Sequence, residues 1–279
     1  MAASFIILQF VVYELSYDRF HQNGDRIFQI QCYDLETQSS WTEFEPKFAP
    51  YLKETDPAIV NYVRLYEGFE ALITNATKPG VFQKKQTIAF ADTSFFSVFT
   101  FPLVRGNPAT VLSKPMTVVI SERIAEQYFG DQDPIGQKLL YKGKDLYFFE
   151  EKKNDELSVK GQNDKKTSDE TSVKGQNDRK KDDKPSVKGQ MHLLEVSGVM
   201  ENMVSNSTIQ YDLITSVVTG LRLDTTDVTS LYEIYLMLGP GKSPGSVVKK
   251  LPAARKFLGG DESNVYYNPD DRYRLQSMS

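Results

Sequence analysis

The sequence predicts an α+β protein built from α/β-like units. Two patterns carry that expectation: β-α-β over residues 27–66, and β-β-α-β over 206–279. A third observation, a low-complexity stretch over 150–190, marks a break between the two halves.

The chain opens MAASFIILQFVVY, an apolar run broken only by Ser4 and Gln9. A bilayer span takes ~20 apolar residues, so this run is too short to cross alone. It also lacks the cationic flank and small-residue cleavage site of a secretory signal. Two readings stay open: a buried core helix or strand, and the remnant, over residues 1–13, of a longer transmembrane helix. The abrupt switch to ELSYDRFHQNGDRIF favours the second, with Tyr13 and Tyr17 at the level of an interface belt. No later apolar run reaches spanning length.

Glu14 to Arg26 reads as a helical continuation, a stalk ending near Asn23-Gly24. Alternation over 27–32 gives a first strand. Trp41, Phe44, Phe48 and Leu52 then fall on one helical stripe, with Pro46 tolerable in its first turn and Asp56-Pro57 as its end. Ile59 to Tyr66 reads as a strand.

Asp92 to Phe99 opens a short helix with a wide aromatic face, and Thr117 to Ile120 is a β-branched strand. Ser121 caps a helix whose Ile124/Tyr128 and Ala125/Phe129 pairs share a side, and Gly130 is its left-handed stop. Asp133-Pro-Ile-Gly136 is a turn, and Gln137 begins another strand.

From 150 to 190 the character changes. SVKGQ recurs at 158–162, 172–176 and 186–190, a strict 14-residue period. Eleven cations and ten anions lie between Glu150 and Lys188, with no aromatic residue among them. Such a segment buries too little apolar surface to offset its ordering entropy and is expected to be a disordered insertion in a surface hairpin. Strands are expected over 193–199, 209–217 and 231–238, a helix from Ser243-Pro244 disturbed at Pro252, and a last strand over 266–275.

Composition restricts function. Thirty-three Lys+Arg against 37 Asp+Glu leave a net charge of −4, so nucleic acid is not expected as a partner. A single cysteine, Cys32, excludes an intrachain disulfide framework, and its apolar strand face implies a buried thiol. The mean hydropathy of −0.42 is that of a chain without multiple membrane spans.

Gly239-Pro-Gly-Lys-Ser243 approaches a phosphate-binding loop, but the first glycine that motif requires is replaced by Leu236. No G-x-S-x-G, H-E-x-x-H or C-x-x-C occurs. His21 is expected to partner Asp18 or Asp25, and His192 to be solvated. Asn75 and Asn206 open N-x-T sequons, meaningful only in a glycosylating cell. No catalytic, cofactor-binding or metal-ligating residue is therefore singled out, and no cofactor is expected.

Three blocks carry a resemblance: YELSYDRFHQNGDRIFQI at 13–30, DTSFFSVFTFPLVRGNPATVLSKPMTVVISERIAEQYFGDQDPIGQKL at 92–139, and VSGVMENMVSNSTIQYDLITS at 196–216. The chain resembles the MacB-like periplasmic core domain of bacterial ABC transporter permeases, in the FtsX-like permease group, in the versions common in Bacteroidetes. The 14-residue repeats are no part of that pattern. The resemblance implies a two-lobed extracytoplasmic domain. One lobe comes from both chain ends (27–88 and 206–279), and the other is inserted between them (89–205).

The resemblance also implies a non-catalytic part of an inner-membrane permease, coupling ATP-driven movement to export or extraction of a substrate. Its implied partners are a cytoplasmic ABC ATPase reached through transmembrane helices, a second permease copy or paired permease, and a periplasmic or outer-membrane component. A helical Glu14–Arg26 stalk would add ~20 Å of reach, with Ile27 and the 272–276 strand as attachment points. The alternatives are a free-standing, membrane-anchored module that binds a ligand or protein, and a hydrolase with a deep pocket of convergent polar residues.

Overall fold

The computed structural model describes residues 2–35, 37–77, 83–143, 190–221, 231–258 and 272–278. The repeats at 158–162 and 172–176, the third repeat up to residue 189, and residues 266–271 of the strand expected over 266–275 lie outside them.

The N-terminal run forms helix α1 (Ala2–Glu14), apolar on all sides, with Phe5, Ile6, Leu8 and Phe10 exposed. The helix stops there. The expected stalk helix over 14–26 is replaced by successive turns and a 3-10 turn at Gly24–Arg26. The cause is long-range. Asp18 adopts the left-handed region (φ 57°), a conformation Asp tolerates better than most residues, and its N–H donates to the Asn206 carbonyl at 3.0 Å. That pairing removes the backbone from the helical path and eliminates the ~20 Å of rigid reach.

Strand β1 (Ile27–Tyr33) follows. Trp41 and Phe44, expected on a helix, lie instead in two short strands, β2 (Ser40–Trp41) and β3 (Glu43–Phe44), paired with Cys32 of β1 and with Tyr232 respectively. Pro46 explains the difference, since a residue before proline is pushed out of the α region. Helix α2 (Phe48–Thr55) starts only beyond it.

The remaining elements are β4 (Ile59–Asn75), β5 (Gln83–Ala91), α3 (Phe95–Val98), β6 (Leu103–Arg105), β7 (Thr117–Ser121), α4 (Glu122–Phe129) and β8 (Lys138–Gly143). After the repeats come β9 (Gln190–Met200), β10 (Leu213–Ser216), α5 (Val217–Leu221), β11 (Tyr232–Leu238), α6 (Pro244–Val248), α7 (Leu251–Phe257) and β12 (Arg272–Ser277). The strand expected over 209–217 is thus confined to 213–216. The break between α6 and α7 falls where Pro252 disturbs the helix, with Pro252 in the first turn of α7. Helix α4 is capped as expected: Ser121 Oγ accepts from the Ile124 N–H at 3.3 Å, and Gly130 has φ 58°.

The strands form one mixed sheet in the order β12-β1-β11-β4-β5-β10-β7-β9-β6, with β8 pairing both β4 and β9. Strands β4, β5, β10, β7, β9 and β8 therefore close a circuit, which removes most free edges from that half. β4 belongs to both halves. Its first part pairs with β11 and its last residues with β8, with a bulge around Gly68. A Cβ at Gly68 would stand 2.8 Å from the Ile88 carbonyl oxygen, so β4 and β5 meet closely only without a side chain there.

Three apolar clusters fill the molecule. One is drawn from 28–59 and 234–273, roofed by α2, α6 and α7, and contains Cys32 at 1% exposure. Another is drawn from 73–141 and 194–213, around α4 and the closed circuit. A third joins them and holds the aromatic run Phe95, Phe96, Phe99 and Phe101. The fold is therefore mixed α/β, with chain-end and mid-chain halves that share a sheet. A buried ion pair ties these parts together. Arg64 on β4 donates from Nε and Nη2 to Asp92 at 2.9 and 2.6 Å, and from Nη1 to the Pro46 carbonyl at 2.9 Å.

Candidate functional site

Two features meet where the N-terminal helix joins the body. The first is a clasp. After α1, the Asp18 carboxylate accepts from the Ser207 hydroxyl (3.1 Å), the Thr208 N–H (3.0 Å) and the Thr208 hydroxyl (2.7 Å). Asn206 Nδ2 donates to the Ser16 carbonyl at 3.1 Å, and the Tyr13 hydroxyl donates to the Ser205 carbonyl at 3.1 Å. Hydrogen bonds to a charged acceptor are among the stronger ones available, so residues 13–18 are fixed to the 205–208 loop rather than trailing from it. The other terminus arrives at the same edge: the Met278 N–H donates to the Ile27 carbonyl at 3.1 Å.

The second feature is a cleft of about 250 Å³ beside the clasp. Its floor is the sheet face carrying Gln29 of β1, Glu67 of β4, and Glu233 and Tyr235 of β11, and the 208–211 segment forms a wall. Alternation places these polar groups opposite Phe28, Ile234 and Leu236, which face the chain-end core.

The Tyr235 hydroxyl donates to Glu233 Oε2 at 2.8 Å and accepts from Gln29 Nε2 at 3.2 Å, while the Tyr211 hydroxyl donates to Glu67 Oε2 at 3.0 Å. Desolvation raises the Glu233 carboxyl above its ordinary range, the hydrogen bond from Tyr235 lowers it, and the charges of Glu43 and Glu67 raise it further. Burial and the neighbouring carboxylates also raise both tyrosines, which keeps them protonated donors. Three carboxylates, Asp18, Glu67 and Glu233, line the cleft with no lysine, arginine or histidine among the lining residues. The arrangement offers negative charge and paired donors and acceptors. No group of three His, Cys, Asp or Glu among the described residues is placed to hold a metal ion.

The residues weighed in the sequence fall as follows. His21 is buried at 5% exposure, with Nε2 3.9 Å from Asp18, the partner expected, and Nδ1 accepting from the Thr100 N–H at 3.0 Å. His192, expected in solvent, is half-buried on β9 opposite Tyr141, because the strand already begins at Gln190, ahead of the expected start at Leu193. Gly239 to Ser243 is a turn before α6, with Gly241 at φ 70°. Asn75 is buried and donates to the Tyr128 carbonyl at 3.0 Å. The cleft residues escaped sequence reasoning because they come from positions 18, 67, 211 and 233–235, which share no local spacing.

A family model described as the MacB-like periplasmic core domain matches residues 1–254. Three solved structures share the fold. A structure described as a domain of a permease protein from Porphyromonas gingivalis is 17% identical with a TM-score of 0.60, covering 92% of this chain and 91% of that one. The periplasmic region of MacB from Actinobacillus actinomycetemcomitans is 13% identical with a TM-score of 0.54, covering 91% and 90%. The extracellular domain of YknZ, described as a noncanonic ABC-type transporter from Gram-positive bacteria, is 13% identical with a TM-score of 0.51, covering 90% and 100%. No curated protein sequence matches the chain.

Proposed function

Because the chain belongs to the MacB-like periplasmic core domain family, we propose that it is the extracytoplasmic core domain of an ABC transporter permease in a bacterial inner membrane, and that it does no bond chemistry. In this reading it transmits motion driven by a cytoplasmic ATPase to the outer side, where a substrate is exported or extracted. It works with a second permease copy or a paired permease, and with a periplasmic or outer-membrane component. The working units are a membrane-proximal lobe (27–88 with 206–279) and an inserted lobe (89–205).

The observation that carries this reading is the convergence of both ends on one edge of the sheet, through the Met278–Ile27 hydrogen bond next to the α1 clasp. A body held at two adjacent points turns as a lever when those points move relative to each other. Helix α1 supports the reading, since a helix apolar on every side with its large side chains exposed suits hydrocarbon surroundings. No helix among the described residues is by itself long and apolar enough to cross a membrane.

The clasp is the joint through which force enters. In the complete permease with its ATPase held unable to hydrolyse, Asp18→Asn should change ATP affinity by roughly fivefold or more, the lower end of ordinary coupling free energies. Asn keeps the tolerance for the left-handed conformation while removing the charge that holds the 205–208 loop. An ATP affinity unchanged within experimental error would contradict the proposal.

A further inference from the structure

We propose that His21 is a proton-operated latch: neutral, it ties the turn after α1 to Thr100, and protonated, it releases Thr100 and closes on Asp18. The imidazole is fully enclosed, its side chain 0% exposed, and is packed against Phe20, Phe99 and Phe101 at centroid distances of 4.1, 5.4 and 5.2 Å. Its Nδ1 accepts from the Thr100 N–H at 3.0 Å, which fixes the tautomer with the proton on Nε2. Nε2 has no hydrogen-bond partner among the described residues, and Asp18 Oδ1 stands 3.9 Å away. A buried donor left short of an acceptor is costly, and here the shortfall is about the length of one side-chain adjustment.

A second proton can enter only at Nδ1. It would then face the Thr100 N–H, donor against donor, and that bond is lost. The same proton makes the ring a cation, and the Asp18 carboxylate, already accepting from Ser207 and Thr208, becomes its counter-charge. Among the described residues, Asp18 is the one ionisable group whose charge acts on His21, and the ring otherwise packs against Phe20, Phe99 and Phe101. The Gln22 N–H also donates to Thr100 Oγ1 at 2.9 Å across this joint, so the swap loosens the hold of the α1 turn on the segment between α3 and β6 without severing it.

Burial lowers the imidazole below its ordinary value of 6.5, and Asp18 raises it by less. The closed joint binds protons less readily than an open one. Its stabilisation is complete above about 6.5 and is lost as pH falls below that value, by up to about tenfold per pH unit for one proton. The latch belongs to this chain whatever drives α1.

Hydrogen exchange tests it on the full 279-residue chain in detergent, with protection factors corrected for the intrinsic pH dependence of exchange. Between pH 8 and 5, Thr100 should lose protection by up to about tenfold per pH unit below 6.5, while a central sheet amide such as Val119 keeps its own. In His21→Gln, whose side-chain carbonyl can still accept from Thr100 and cannot titrate, Thr100 should stay level across the range. The latch is overturned if Thr100 is level in the unaltered chain, if Val119 falls in step with it, or if His21→Gln shows the same fall. Should His21→Gln not fold, the comparison of Thr100 with Val119 in the unaltered chain still decides.

Discussion

Asp92→Ala is expected to destabilise the chain by about 3–5 kcal/mol, read as a fall in unfolding free energy in urea. Asp92 and Arg64 are both largely buried, at 7% and 9% exposure. Asp92 accepts from the Arg64 backbone N–H at 2.8 Å as well as from two guanidinium nitrogens. Removing the carboxylate leaves a guanidinium enclosed, with the Pro46 carbonyl at 2.9 Å and the Tyr62 ring left to answer it among the described residues. The penalty is mostly that stranded charge, so Arg64→Met combined with Asp92→Leu should recover much of the loss, as matched apolar replacements of buried pairs often do. Asp92→Asn, which keeps the shape and one acceptor, should fall between. A loss below about 1 kcal/mol for Asp92→Ala, the range of exposed ion pairs, would show that the pair is not buried as described.

Phe95→Ala is expected to cost about 3–5 kcal/mol through a different route, the loss of packing. The ring is 0% exposed and sits at the junction of the aromatic run: stacked on Phe101 at 5.6 Å and 9°, edge-on to Phe96 at 5.0 Å and 78°, and tilted against Phe99 at 5.2 Å. Its cluster joins residues of β1, β4, β10 and β11, so a cavity there loosens the contact between the chain-end and mid-chain halves. Phe95→Leu should lose less, because part of the volume remains. If Phe95→Ala and Phe95→Leu unfold at the same urea concentration as the unaltered chain, the aromatic run is not the core that joins the halves.

What the sequence made legible was what its local chemistry decides. Ser121 and Gly130 bracket α4 because the cap and the stop are made within one turn of the helix. Cys32, on an apolar strand face, is buried as its neighbours imply. The alternation of Tyr232, Ile234, Leu236 and Leu238 survives as the buried face of β11.

Readings failed where a distant partner outweighed a local preference. The run 14–26 has a helical composition, yet Asn206, Ser207 and Thr208, nearly 190 residues away, hold Asp18 in a turn. Trp41 and Phe44 fit a helical stripe by spacing, but Pro46 and the open edges of β1 and β11 draw them into strands. Strand β5 was missed because its opening QKKQ carries no apolar alternation, and its place is set by pairing with β4 and β10. The cleft could not be foreseen from any window, since Glu67 meets Tyr211 and Glu233 meets Tyr235 only once the sheet is assembled.

The family resemblance reached further than the pattern reading because its three blocks, 13–30, 92–139 and 196–216, include the parts that assemble the joint. Phe99 to Phe101 of the second block meets His21 of the first, and Asn206 to Thr208 of the third meets Asp18 of the first. Those residues are unremarkable singly and informative in combination.

The central claim is that this domain moves as a strut between two states of a transporter. Spin labels at Asp131→Cys, exposed beyond α4, report on it directly in the assembled permease, because the native Cys32 is 1% exposed and is spared. If two copies pair as proposed, pulsed electron paramagnetic resonance between them should give distances that differ by about 5 Å or more between the nucleotide-free and ATP-trapped states, the scale of a one-turn displacement; for a paired permease the second label is placed on that partner. Superimposable distance distributions in the two states would contradict the account.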